Sequence, residues 1–370
     1  MHKEIGSNFW LNRYDKLESK EISLDFLQLN IVDIAFLSTG RSAISFVLNH
    51  IELPEDKKIA LLPQFTCHTV IEPFIKAGYK VFYYSIDKDL HCDKESFLKD
   101  IEKYQPSVVL VHGYFGFNTL LPIKDIITDI RESGIIVIED ITQTMYSKIE
   151  HTEADYYIAS FRKWAALPDG GFAASTNKRF SYKPDKIDEK LQEAKLEAFH
   201  AKYLYICKDN GNKEEFLNML KNAEQILSEQ KEIFTMGNVS KMIQGNLEID
   251  ILRYRRRENF QYLFEGVADT SLIEPVFKDL PEDVVPLYFP IYVKCDRRTL
   301  QSFLAENNIY APVIWPKPIQ CKNNITESVD WIYDHILSIP CDQRYGIEDM
   351  KRIVEKIIEF DKKFMEVSKE

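Results

Sequence analysis

The chain has 370 residues, of which 45% are hydrophobic, 12% aromatic and 28% charged. This is globular composition, which excludes a disordered, collagenous or low-complexity protein, and at this length a core needs neither metal nor disulfides. The 47 lysines and arginines against 58 acidic residues leave a net charge of −11, which argues against a general nucleic-acid binder. An anionic ligand would have to be held by local design.

The opening residues, MHKEIGSNFWLN, are polar and of mixed charge, unlike a secretory signal, and the longest apolar runs are strand-length, too short to cross a bilayer. The six cysteines, at 67, 92, 207, 295, 321 and 341, are far apart and show no zinc-ligand spacing. They read as buried thiols in a reducing compartment. The expectation is a soluble cytoplasmic protein with no membrane or nucleic-acid partner.

From residue 57 to 176, short β-rich runs alternate with amphipathic stretches. The runs 59–62, 81–86, 108–111, 135–138, 156–159 and 172–174 are mostly apolar without alternation, as strands covered on both faces are. Between them the pattern predicts helices over 69–77, 94–103 and 123–132, stopped by Gly78, Pro106 and Gly134. Such alternation implies a largely parallel sheet with helices on both faces. Residues 180–235 read as two solvent-facing helices with Phe216, Leu220, Ala223 and Leu227 on one face. Beyond 245 the pattern predicts a long helix around RYRRREN, a strand at 286–294, a helix at 297–307, an extended segment at 309–314 and a terminal helix at 347–364. Arg253, Arg255, Arg256 and Arg257 read as a solvated face, because near-consecutive positions point all round a helix. A diphosphate-linked substrate would also want arginines.

Four features fall at expected strand ends, where open α/β sheets collect ligands. The first is Ser38-Thr39-Gly40-Arg41-Ser42, entering a helix: Gly40 allows close backbone approach and the helix N-terminus favours anions, although a plain cap looks the same. Next, Pro63-Gln64-Phe65-Thr66-Cys67-His68-Thr69 offers a ring or a soft sulfur to a flat ligand, unless Cys67 and His68 are structural. Glu139-Asp140-Ile141-Thr142-Gln143 then places a carboxylate where it could hold a cation or a protonated ring nitrogen; Asp is also a common turn former. Last, Ser160-Phe161-Arg162-Lys163 precedes Asp169-Gly170-Gly171, which makes Lys163 a candidate Schiff-base nucleophile or, more blandly, a surface lysine. An anion cradle, a carboxylate, a lysine and a flat contact together are what pyridoxal phosphate requires.

In the order ED-x-x-Q, SF…K…GG, and in STGRSAISFVL, LLPQFTCHTVIEPFIKAGYKVFYYSID, VVLVHGYFGF and HILSIPCDQRYGIEDM, the sequence resembles the DegT-like sugar aminotransferases. These belong to the aspartate-aminotransferase-like fold type I of pyridoxal-phosphate enzymes. The resemblance implies an α/β large domain over 1–244 with a mainly parallel, seven-stranded-type sheet, and a smaller C-terminal α+β domain over 245–370. It implies Asp140 as partner of the pyridinium nitrogen, Gln143 near the ring's phenolic oxygen, and Ser160, Gly40 and Arg41 at the phosphate. Lys163 is then the Schiff-base lysine. The family's stacking aromatic falls on Cys67, with His68 the nearest ring, and the usual SF-x-x-x-K is shortened to SFRK. The implied activity transfers an amino group from a small-molecule donor to a keto acceptor, a sugar or nucleotide-sugar, in a homodimer. A lyase on the same cofactor and a non-catalytic regulatory protein are the alternatives; dehydratases of this family carry histidine in place of the lysine.

Overall fold

The computed structural model describes residues 3–12, 17–321 and 325–367. Strands β1 (Ile5–Gly6) and β2 (Asp33–Leu37) precede α1 (Gly40–Asn49). Then come β3 (Ile59–Pro63), α2 (His68–Lys76), β4 (Lys80–Tyr84), α3 (Lys94–Tyr104), β5 (Val108–His112), α4 (Lys124–Glu132), β6 (Ile136–Asp140), β7 (Tyr156–Ala159) and β8 (Gly171–Ser175). All but β1 form one seven-stranded sheet in the order β2-β8-β7-β6-β5-β3-β4. The five strands β4, β3, β5, β6 and β7 run parallel, while β8 is antiparallel to both its neighbours.

The apolar runs become central strands because both faces are covered. Along β5, Val109 and Val111 point into one apolar layer and Val108 and Leu110 into the other; along β7, Tyr157 and Ala159 oppose Tyr156 and Ile158 in the same way. One layer takes Phe97 of α3 and Ile126, Ile127 and Ile130 of α4, and the second takes Ala43, Ile44 and Val47 of α1. Fully burying one such aliphatic side chain stabilises the fold by about 1.5–3 kcal/mol. The strands and helices expected over 57–176 are present to within two residues at either end. Strand β2 is the addition: it is an edge strand, half-buried, and its Asp33 carboxylate accepts from the Phe180 N–H and from Lys183, so it lacks an uninterrupted apolar run.

The rest of the chain supplies α5 (Glu189–Cys207), α6 (Lys213–Glu229), α7 (Asn238–Gly245), α8 (Ile249–Gly266), β9 (Ile273–Pro275), β10 (Phe289–Val293), α9 (Arg297–Glu306), β11 (Ile309–Tyr310), α10 (Glu327–His335), β12 (Ile336–Ile339) and α11 (Ile347–Val367). Strands β12, β10 and β9 form an antiparallel sheet, and β11 pairs in parallel with β1, fastening residues 5–6 to this part of the chain. Only 309–310 of the extended segment 309–314 is strand.

Two expectations need correction. The face of α6 is buried as read, at Phe216, Leu220, Ala223 and Leu227, but α5 is no plain solvent-facing helix: it buries Gln192, Lys195 and Lys202 beside Leu191 and Phe199. Nor are the arginines of α8 a solvated run. Arg256 is buried, its guanidinium centred 4.5 Å from the Trp164 ring, and it donates to Gln343 and to the carbonyls of Pro286 and Leu287. Arg253 donates to the Tyr146 carbonyl and also pairs with Asp250 of its own helix, Arg257 donates to the carbonyls of Pro281 and Val284, and Arg255 pairs within the helix with Glu258. Loop carbonyls collected by the fold set these contacts, which helical periodicity does not reveal. Among the described residues no helix is long and apolar enough to cross a membrane.

Candidate active site

The carboxyl ends of β2, β3, β5, β6 and β7 open on one cavity of about 950 Å³. Gly40, Arg41, Cys67, Asp140, Gln143, Ser160 and Lys163 all line it. His68 does not: it is exposed at the first position of α2, turned away from the cavity that its neighbour Cys67 reaches. The rings that do line the cavity at this end are His112 and Trp315. His112 ends β5 in register with Asp140 at the end of β6. Its Nε2 is 3.2 Å from Thr66 Oγ1, and burial pushes its pKa down to about 3, so the imidazole is neutral.

Two turns are tied together to build the floor. After β6, the Asp140 carboxylate accepts the Thr142 N–H at 2.9 Å. After β7, Ser160 leads into a single 3-10 turn, Phe161–Lys163, which carries the lysine into the cavity. Thr142 joins the two turns: its hydroxyl accepts the Ser160 N–H at 3.0 Å, and its carbonyl accepts Trp164 Nε1 at 2.7 Å. Gln143 is fixed by the Phe115 N–H, which donates to its Oε1 at 2.6 Å. Its amide oxygen thus engaged, Gln143 has N–H donors left to offer the cavity.

The anion end is made by close backbone approach. Thr39 caps α1, its Oγ1 accepting from the Ser42 N–H at 3.0 Å. A helix leaves its first N–H groups without intrahelical partners, and those of α1 open beside Ser160. A Cβ at Gly40 would stand 3.2 Å from the Ser160 Cβ, and one at Gly171 only 2.5 Å from the Ala159 carbonyl oxygen and 3.1 Å from the Gly40 nitrogen. The absence of side chains at 40 and 171 therefore lets α1, the lysine turn and β8 converge.

Electrostatics separate the two principal groups. Solvent in the cavity reaches the Lys163 side chain, yet protein surrounds it closely. Loss of hydration and then the adjacent Arg162 charge lower its pKa, against the weaker opposing pull of Cys67, Glu224 and Asp140. For Asp140, burial raises the pKa to about 6, opposed by its hydrogen bonds to Thr142. A lysine biased toward the free amine and a carboxylate in want of a cationic partner thus share one cavity.

Sequence reasoning missed the walls. Residues 7–9, the α5–α6 hairpin (through Lys195, Phe199, Glu224 and Leu227) and residues 312–315 enclose the cavity. Helical period marked α6 as amphipathic, and two lysines on the inner face of α5 were the one available signal.

Residues 244–358 match the model of the DegT/DnrJ/EryC1/StrS aminotransferase family. No curated protein matches the chain by sequence. Among solved structures it is similar to PseC of Helicobacter pylori, an aminotransferase involved in the biosynthesis of pseudoaminic acid, at 15% identity and a TM-score of 0.71, with 98% of this chain and 100% of that one covered. The sugar aminotransferase CalS13 of Micromonospora echinospora aligns at 15% identity and a TM-score of 0.64, over 95% and 99% of the two chains. A DegT/DnrJ/EryC1/StrS aminotransferase of Brucella abortus aligns at 15% identity and a TM-score of 0.63, over 92% and 91%. Over residues 244–358, then, the chain matches the DegT/DnrJ/EryC1/StrS aminotransferase family in sequence, and over nearly its whole length it has the fold of that family's solved members.

Proposed function

We propose that the protein is a pyridoxal-phosphate-dependent aminotransferase that moves an amino group from a small-molecule donor to a keto carbon of a sugar or nucleotide-sugar. The convergence of Lys163, Asp140, Gln143, Ser160 and Gly40 on one cavity carries this reading. The donor set fits the cofactor. The space a Cβ at Gly40 would narrow, next to the Ser160 hydroxyl and the α1 N-terminus, suits a phosphate. Asp140 is a half-buried carboxylate whose charge would gain from a cationic partner, which a protonated ring nitrogen would provide. The similarity of the fold to sugar aminotransferases supports the substrate class.

When bound, pyridoxal phosphate supplies a conjugated ring that withdraws electrons from the carbon losing a proton. Asp140 would keep the proton on the ring nitrogen. Gln143 would donate toward the ring's oxygen, and Ser160 with Gly40 and Arg41 would hold the phosphate end in place. Lys163 would attach the cofactor at rest and, once released, carry the substrate proton; loss of hydration and the adjacent Arg162 charge lower its pKa and so favour the free amine. His112, neutral and flat, and Trp315 line the cavity and would take the place of the stacking aromatic expected near Cys67. We also propose a large unit over 1–244 and a small one over 245–370, working as a cytoplasmic homodimer. The family resemblance supports the dimer, and six unpaired thiols suit a reducing compartment.

The test is a spectroscopic half-reaction. Protein loaded with pyridoxal phosphate and titrated with amino acids should lose the cofactor's visible absorbance as pyridoxamine phosphate forms, and a keto sugar should restore it. Elimination without pyridoxamine phosphate formation would assign a lyase instead.

A further inference from the structure

The chain carries a net charge of −11, yet the lining of the cavity is cationic: six lysines and arginines face four carboxylates. The excess is organised at two carboxylates, each shared by two cations. Glu72 pairs with Arg41 at 3.4 Å and with Lys76 at 2.6 Å. Glu224 of α6 pairs through one oxygen with Lys195 of α5 and, at 3.4 Å, with Arg162 of the lysine turn. This second group sits beside Lys163, and its members all line the cavity.

Its burial is uneven. The Lys195 side chain is 3% exposed and Arg162 21%, whereas Glu224 is 55% exposed. The two cations are thus anchored in the wall while their shared anion is the solvated, movable partner. Arg162 meets that anion by a single long contact, which leaves most of its five N–H donors for the cavity. Lys195 has Glu224 as its hydrogen-bond partner and two further donors. A planar guanidinium beside an ammonium, neutralised by one exposed carboxylate, is a site for a second anion.

We infer that Arg162 and Lys195 form a subsite for an anionic substituent of the substrate, a carboxylate or phosphate, with Glu224 as the resident anion that the substituent displaces. The inference rests on the aminotransferase reading for the word substrate, but the subsite itself is defined by anion binding. The α5–α6 hairpin is therefore a specificity element, contributing one cation of the pair and the gate. The anion belongs either to the amino donor, as a side-chain carboxylate, or to the acceptor, as a diphosphate.

Calorimetric titration of the pyridoxal-phosphate-loaded protein with glutarate and with inorganic pyrophosphate separates these sources. The expected result is binding of one probe, weakened roughly tenfold or more by Arg162→Gln and by Lys195→Gln, as loss of a charge-assisted hydrogen bond implies. Glu224→Gln should bind that probe severalfold more tightly, because the competing carboxylate is gone. A purely structural ion pair predicts the opposite sign for Glu224→Gln, and melting curves of all three variants show that the fold is kept. Wild-type protein that binds neither probe, or a Glu224→Gln variant that binds more weakly, overturns the subsite. Glutarate binding assigns the donor and pyrophosphate the acceptor. Failure of the half-reaction with subsite binding intact would instead overturn the aminotransferase reading alone.

Discussion

The side-chain nitrogen of Lys202 donates to the backbone carbonyl of Asn8 at 2.5 Å, so a lysine inside α5 fastens the N-terminal segment that walls the cavity. It lies 5.7 Å from the centre of the Trp10 ring and 5.8 Å from that of Phe216. Burial pushes its pKa down to about 7, helped by Arg344 and opposed by Glu4 and Asp342. Between about pH 7 and pH 10.5 the unfolded chain binds a proton here that the folded chain lacks, so this group's contribution to stability rises with pH across that window. Measured against Lys202→Met, the wild-type melting temperature should therefore gain as pH rises from 7 to 9. A pH-independent difference would show that Lys202 is charged throughout.

Asp140→Asn separates function from stability by sign. With a folded pKa near 6 against an ordinary 3.8, the carboxylate destabilises cofactor-free protein above pH 6, a cost absent at low pH. Asn removes it, so the cofactor-free variant should melt higher at pH 7.5, by about 1–3 kcal/mol given an open cavity that hydrates the group in part. The half-transamination rate per loaded molecule should fall roughly a hundredfold to a thousandfold, corresponding to about 3–4 kcal/mol of lost transition-state stabilisation. A turn-forming Asp140 predicts the reverse pattern, lower stability and normal turnover.

Gly40→Ala tests the phosphate cradle. The added methyl meets the Ser160 Cβ at 3.2 Å, a contact that a small shift relieves, so the melting temperature should change little. Cofactor affinity should drop severalfold, read by fluorescence during dilution of the loaded protein. Unchanged retention would move the phosphate elsewhere.

Arg256→Met probes the buried joint between α8, Trp164 and the loop before β10. The substitution keeps apolar bulk but strands the carbonyls of Pro286 and Leu287 and the Gln343 amide. Leaving buried acceptors unpaired costs about 1–3 kcal/mol each, so destabilisation of about 3 kcal/mol or more is expected in denaturant unfolding. A solvated arginine would give a change within about 0.5 kcal/mol.

How far the sequence carries is clear from particular residues. The strands at 108–112 and 136–140 and the lysine turn at 160–163 were legible, because double-sided burial removes polar alternation and Gly-Gly must follow where β8 crowds Ala159 and Gly40. Thr142 was not, although it ties the Asp140 and Lys163 turns together, since one hydroxyl in a turn gives no periodic signal. Arg256 reads as part of a solvated face, and nothing in the solvent-facing reading of 180–235 singles out Lys195, because their partners lie 87 and 29 residues away. The rings lining this end of the cavity could not be found near Cys67, because His112 and Trp315 are brought there by β5 and by residues 312–315.

The central claim is that Lys163 attaches the cofactor. Borohydride reduction of protein loaded with pyridoxal phosphate, followed by peptide mapping, tests it most directly. Lys195 is a built-in competitor, another lysine lining the same cavity with a lowered pKa. The account predicts one pyridoxyl label, on the peptide carrying Lys163, and no label in Lys163→Arg. A label on Lys195, or none in fully loaded protein, would contradict it.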